Sequence, residues 1–198
     1  AAHSYKALFS YYRPKILLGL TATPERMDGE DITTYFSGRI TSELRLPEAI
    51  DRGMLAPFHY FGVTDPVDLS SLHWTRGGYQ KSDLENVYVL SERIAKQRVA
   101  VILQSLERYV TNLNEVHGLA FCVSRKHAAF MAACFNAHGL PSRALSADTN
   151  EDDRRHAKDD LTTGKLRFLF VVDLYNEGVD IPAIDTVLFL RPTESLTI

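Results

Sequence analysis

Two apolar runs of strand length, separated by one polar loop within Leu166 to Pro192, constrain this chain more than any other stretch. Leu166 to Val172 is interrupted only by Arg167, and Thr186 to Leu190 ends at Arg191. Between them lie Asp173, Asn176, Glu177, Gly178 and Asp180, closed by Ile181-Pro182. A strand with one wet face alternates apolar and polar residues. Near-continuous apolar runs instead indicate strands covered on both faces, as in the centre of a parallel sheet. Ligands of such sheets sit outside the carboxyl ends of the strands, which is where the Asp173–Asp180 loop falls.

The residues leading into that stretch alternate strand and helix. Leu119 to Val123 reads as a buried strand, and Ser124 is placed to cap a helix running to Ala137 with Ala128, Met131, Ala132 and Phe135 inward. Gly139 ends it and Pro141 prevents its resumption. Ser142 to Ala147 reads as the next strand. Thr149 with Asp152 resembles a capping box for a helix ending near Thr163-Gly164. Strands alternating with helices of this length predict an α/β fold with a doubly wound parallel sheet.

Earlier segments are less regular. Ala1 to Tyr12 has helical spacing, stopped by Pro14, and Ile16 to Leu20 reads as a short buried strand. Arg39 to Leu46 and Pro57 to Val63 read as further strands, with a helical turn over Pro47 to Arg52 ended by Gly53. Asp65 to Lys81 has no period and reads as a surface excursion around Trp74, the only tryptophan. Ser82 to Asn114 is the longest helical stretch. Its apolar stripe is Ala95, Val99, Ile102, Leu106, Tyr109, Val110 and Leu113, with Arg98, Gln104, Glu107 and Arg108 assigned to a solvated face.

With 198 residues and 45% apolar content, the chain can bury a full domain's core and more. A net charge of −3 carries no general nucleic-acid footprint, so any such binding must come from a local patch. Cys122 and Cys134 read as packing residues, which favours a reducing, intracellular setting. No apolar run reaches membrane-spanning length, so no membrane partner is expected. A phosphate-binding loop ending Gly-Lys-Ser/Thr is absent, because Gly164-Lys165 is followed by Leu166. No metal site is read. Cys134 and His138 share a helix face without a second pair, and His117, His127 and His156 are scattered. The Arg154, Arg155, His156 and Lys158 cluster reads as a solvated face.

Three segments together resemble superfamily-two helicases, ATP-driven motors built from two RecA-like domains. Thr21-Ala22-Thr23 with Pro24-Glu25-Arg26 is similar to that family's third motif, although a plain strand-to-helix turn accounts for the same residues. Phe121-Cys122-Val123-Ser124-Arg125 is similar to its fourth motif and Val172 to Pro182 to its fifth. The Glu-Gly-Val-Asp-Ile-Pro sequence resembles repair helicases and restriction-enzyme motor subunits more than DEAD-box proteins.

The resemblance implies a RecA-like (P-loop NTPase-type) sheet with helices on both faces. Residues 1–50 would be the tail of a first RecA-like domain, and residues 51–198 most of a second, incomplete at its C-terminus. It implies that Gly178 and Asp180 face the nucleotide, that Ser124, Arg125 and Asp173 face nucleic acid, and that Thr21, Ala22 and Thr23 couple the two. Ser124 and Arg125 at a helix N-terminus suit a phosphate; Ser124 also suits a simple cap, and the two roles are compatible. Val172 stands where a hydroxyl residue often touches phosphate, leaving only its backbone N–H for that contact.

The first motif, the Asp-Glu metal motif and the arginine motif are expected outside residues 1–198. ATP and Mg²⁺ are accordingly expected in the longer protein, with none bound to this part, and no catalytic set is complete within it. The implied partners are DNA, through backbone contacts, and the rest of the first RecA-like domain. The implied compartment is a bacterial cytoplasm. A non-catalytic RecA-like module that binds protein or nucleic acid is the alternative reading.

Overall fold

The computed structural model describes residues 3–21, 32–64, 74–75, 78–79, 81–85, 88, 92–175 and 181–192. They divide into two compact units, residues 1–61 and 62–194.

In the first unit, helix α1 (His3–Tyr11) is followed by a 3-10 turn (Ile32–Phe36) and helix α2 (Leu46–Asp51). Phe9 packs on Tyr35 and Phe36 at ring separations of 5.1 and 6.4 Å. Proline in the first turn of α2 lacks only an N–H that has no helical acceptor there. The three strands expected here do not form. Residues 16–20, 39–45 and 57–63 carry no strand pairing, and Ile16, Leu18 and Leu20 are 86%, 75% and 90% exposed. A strand is a property of a pair, and among the described residues none supplies a ladder to these segments.

The second unit begins with a hairpin that aperiodic sequence concealed. Strand β1 (Trp74–Thr75) pairs antiparallel with β2 (Gly78–Tyr79), Trp74 opposite Tyr79. Within the helical stretch expected from Ser82 to Asn114, the described residues form α3 (Lys81–Glu85), a π-helical position at Tyr88 and α4 (Glu92–Tyr109). Then come β3 (Gly118–Phe121), α5 (Arg125–Ala137), β4 (Ser142–Ser146), α6 (Glu151–Thr162), β5 (Phe168–Val172) and β6 (Thr186–Phe189).

Strands β4, β5, β3 and β6 lie in that order, all parallel. Their side chains alternate between two cores. Ala120, Cys122, Phe168, Phe170 and Val172 face Val99, Leu103 and Leu106 of α4 and Ala128, Met131, Ala132 and Phe135 of α5. Leu119, Leu145, Leu169 and Val171 face Ala157 and Leu161 of α6. The parallel sheet is thus covered by helices on both faces. The ring of Phe135 lies edge-on to Phe168 and Phe170 at 5.0 and 4.9 Å. Burying each such ring contributes about 1.5–3 kcal/mol, and each pair roughly 0.5–1.5 more.

Strand β5 is buried along its whole length, as its continuous apolar run requires. Strand β6 is not central. Among the described residues it is the edge strand beyond β3, with Val187 and Phe189 45% and 47% exposed. An apolar run reports a capacity for burial on two faces and does not supply the layers that cover them. The capping of α6 also differs from expectation. Asn150 accepts the Asp153 N–H at 2.8 Å, and Thr149 instead accepts the Ser146 N–H at 2.9 Å, tightening the turn before the helix.

Candidate functional site

Parallel pairing brings four chain segments to one edge. Phe121 is level with Val171 and with Phe189, and Ser146 with Val172. The Cys122 N–H donates to the Val171 carbonyl at 2.9 Å and the Leu190 N–H to the Phe121 carbonyl at 3.0 Å, carrying the ladder one step further. The segments beginning at Val123, Ala147, Asp173 and Arg191 therefore emerge together at the carboxyl edge.

After β3, Ser124 caps α5. Its Oγ accepts the His127 N–H at 3.2 Å and donates to Glu85 Oε1 at 3.1 Å. The capping role read from sequence is present, and the α5 N-terminus it leaves at the edge has the dipole and donors that suit an anion. Arg125 forms an ion pair with Asp148, which follows β4. Both side chains are largely exposed, so the pair is weak and exchangeable. Lys126 Nζ lies 3.6 Å from Glu85 Oε1.

After β5, Asp173 takes a left-handed backbone conformation (φ +52°), as does Tyr175 (φ +61°). Such conformations are costly without glycine and mark a turn held by its surroundings. The carboxylate of Asp173 lies 3.7 Å from Arg191 Nη1, at the end of β6. Arg191 also stands 5.8 Å over the Phe121 ring, itself stacked on Phe189 at 5.6 Å. Tyr175 packs toward the α6 face, where burial raises its pKa and Arg154 partly offsets the rise. Arg154 holds the preceding turn, donating to Thr149 O at 2.6 Å and Ala147 O at 3.0 Å, so it is not merely solvated.

Ser124, Arg125 and Asp173 are thus brought to one edge. Thr21 is exposed in the first unit. Ala22, Thr23, Gly178 and Asp180 lie outside the described residues, as does Glu177. Among the described residues, no group of three or more His, Cys, Asp or Glu side chains is placed to hold a metal ion, and no helix is long and apolar enough to cross a membrane.

The structure also corrects the reading of Arg98, assigned from sequence to a solvated face. It is buried, 6% exposed. Its Nη1 lies 3.1 Å from His127 Nε2, its Nη2 donates to the Leu190 carbonyl at 2.9 Å, and its guanidinium sits 4.1 Å over the Tyr88 ring. Tyr88 stacks on His127 at 5.4 Å. A signal was available: Arg98 stands three residues after Ala95 and four before Ile102, so it borders the apolar stripe. Burial, reinforced by Arg98, pushes the His127 pKa down to about 3. The Val123 N–H faces the other ring nitrogen at 3.3 Å. A neutral imidazole offers a single acceptor nitrogen, so the ring accepts from Arg98 or from Val123, never both.

A family model described as the helicase conserved C-terminal domain matches residues 97–198, just over half of the chain. A "51.5 kDa protein" of Lactococcus phage (isolate 7-9) is 25% identical over 197 residues, covering 100% of this chain and 41% of its own length. The "Putative ATP-dependent helicase IRC3" of Saccharomyces cerevisiae is 24% identical over 98% of this chain and 28% of its own length. The "Type I restriction enzyme EcoAI endonuclease subunit" of Escherichia coli is 26% identical over 65% of this chain and 17% of its own length. The chain therefore spans less than half the length of these relatives. The family match takes in most of α4 and every strand of the parallel sheet, and on that ground the chain belongs to the helicase conserved C-terminal domain family.

Proposed function

We propose that this chain is part of an ATP-dependent DNA helicase or translocase, contributing one wall of the ATP cleft and a set of nucleic-acid backbone contacts. The observation that carries the reading is the convergence of Ser124, Arg125 and Asp173 on one carboxyl edge within a helicase C-terminal domain. Ser124 and Arg125, at the N-terminus of α5, are assigned to strand phosphates. Asp173 is assigned to the same nucleic-acid side, and Gly178 and Asp180 of the following loop to the nucleotide. Thr21, Ala22 and Thr23 are assigned to coupling between the two. Residues 1–50 belong, in this reading, to a first RecA-like domain and 51–198 to a second.

The full-length protein would draw on ATP with Mg²⁺ for the free energy of movement, whereas residues 1–198 alone would not hydrolyse ATP. The cellular setting proposed is a bacterial cytoplasm, in repair or restriction. DNA is chosen over RNA on the repair- and restriction-type character of the fifth motif, since the family match leaves the two equal.

The test is ATP hydrolysis by the full-length protein with single-stranded DNA or RNA of equal length, at several salt concentrations. Stimulation by DNA that weakens steeply with salt supports backbone contact. Arg125→Ala should raise the DNA concentration giving half-maximal turnover, and Asp180→Ala should depress turnover itself. Stimulation by RNA alone would refute the DNA assignment. A full-length protein that binds nucleic acid without turnover would establish the non-catalytic alternative.

A further inference from the structure

One buried guanidinium reaches both of the edge segments that bear the candidate contacts. Arg98, on α4, touches His127 through Nη1 and the Leu190 carbonyl through Nη2, at 3.1 and 2.9 Å. The backbone N–H of His127 is the donor that Ser124 Oγ accepts at 3.2 Å. The residue after Leu190 is Arg191, whose guanidinium meets Asp173 at 3.7 Å. Arg98 is therefore one residue removed from Ser124–Arg125 on one side and from Arg191–Asp173 on the other. Tyr88 closes the arrangement, lying under the guanidinium and stacked on the imidazole. Segments at positions 88, 98, 123–127 and 190 are distant in sequence, and the Arg98 guanidinium touches each of the others.

We infer that Arg98 and His127 act as one positioning unit that holds the Ser124–Arg125 turn and the Leu190–Arg191 strand end in register for nucleic-acid phosphates. The planar fork of arginine is what permits this role. It brings two N–H-bearing nitrogens against two different elements, the His127 imidazole of α5 and the Leu190 carbonyl, whereas a lysine ammonium is a compact point charge. The contacts are shielded from solvent, so they are neither screened by salt nor exchanged with water as the exposed Arg125–Asp148 pair is. The inference rests on the proposed phosphate contacts of Ser124 and Arg125.

The experiment uses the full-length protein and single-stranded DNA, measuring ATP turnover against DNA concentration, with thermal unfolding followed in parallel. Arg98→Lys retains the charge and one strong donor direction, so it should fold. Its half-saturating DNA concentration should rise roughly five- to tenfold, the equivalent of one buried hydrogen bond, while turnover at saturating DNA stays within about twofold. A purely structural role predicts the opposite split, with a smaller folded fraction, lower maximal turnover and unchanged half-saturation. His127→Gln should give a rise of similar size, and the double variant should be little worse than either single one.

Unchanged half-saturation in Arg98→Lys, or fully additive effects in the double variant, overturns the positioning unit. Arg125→Ala separates this from the reading beneath it. If Arg125→Ala shifts half-saturation and Arg98→Lys does not, only the positioning inference fails. If Arg125→Ala shifts nothing, the phosphate assignment fails and the inference falls with it.

Discussion

Gly118 opens β3 beside Phe168 of β5, its parallel partner. A Cβ at position 118 would lie 2.1 Å from both Cδ1 and Cε1 of the Phe168 ring. Carbon atoms at their optimum stand about 3.5–4.0 Å apart, so Gly118→Ala demands a displacement of about 1.5 Å. The ring cannot readily supply it. Phe168 is fully buried, locked edge-on against Phe135 at 5.0 Å and stacked near Phe170 at 6.2 Å. Widening the sheet instead would stretch the Gly118 N–H to Arg167 carbonyl bond, 2.7 Å long. Overpacking of this kind costs about 1–3 kcal/mol, and the rigid surroundings place Gly118→Ala in the upper half of that range.

For a chain of 198 residues, about 2–3 kcal/mol corresponds to a fall in Tm of roughly 4–12 °C. Urea unfolding followed by circular dichroism measures the loss as a lower midpoint at constant slope. Phe168→Leu should be destabilising alone yet recover part of the loss when combined with Gly118→Ala, because it removes the atoms in the way. An unchanged midpoint for Gly118→Ala would refute the reasoning, as would strict additivity in the double variant.

Asn150→Ala should cost about 1 kcal/mol through loss of the α6 cap, read by the same urea midpoint. Cys122, whose pKa is pushed up to about 12 by burial against the smaller opposing influence of Arg98 and Arg191, should resist alkylation at pH 8 until the chain unfolds, as mass spectrometry can show. His127 titrates near 3 when folded against about 6.5 when unfolded. The unfolded chain therefore binds the extra proton between those values. The stability contributed by the neutral ring is complete above about pH 6.5 and is lost as pH falls toward 3, on the order of 3–5 kcal/mol over the full window. His127→Gln should flatten the urea midpoint across that window; an undiminished slope would show that another group carries it.

Most of the second unit was legible before any coordinates. Continuous apolar runs locate β3, β5 and β6, and the 3.6-residue period with capping and breaking residues locates α4 to α6, because each element there faces a core made by its sequence neighbours. Ser124 reads as a cap because capping is settled within four residues. The first unit was not legible in this way. Ile16 to Leu20 has the composition of a strand, yet pairing is non-local, and the described residues offer it none. Trp74–Thr75 and Gly78–Tyr79 show the converse, since a two-residue ladder is too short to impose a period.

Local chemistry alone established which residues alternate, which cap, which break a helix, and that the last two apolar runs belong to a parallel sheet. The three-dimensional arrangement decided the rest. It made β6 an edge strand, tied Asp173 to Arg191 across the end of β3, and drew Arg98 inward. The physical reason is the range of the interactions. Propensity and capping act within a turn or two of the chain. Burial of a charge depends on acceptors such as His127 and the Leu190 carbonyl, which lie 29 and 92 residues from Arg98 and meet it only once the sheet has formed.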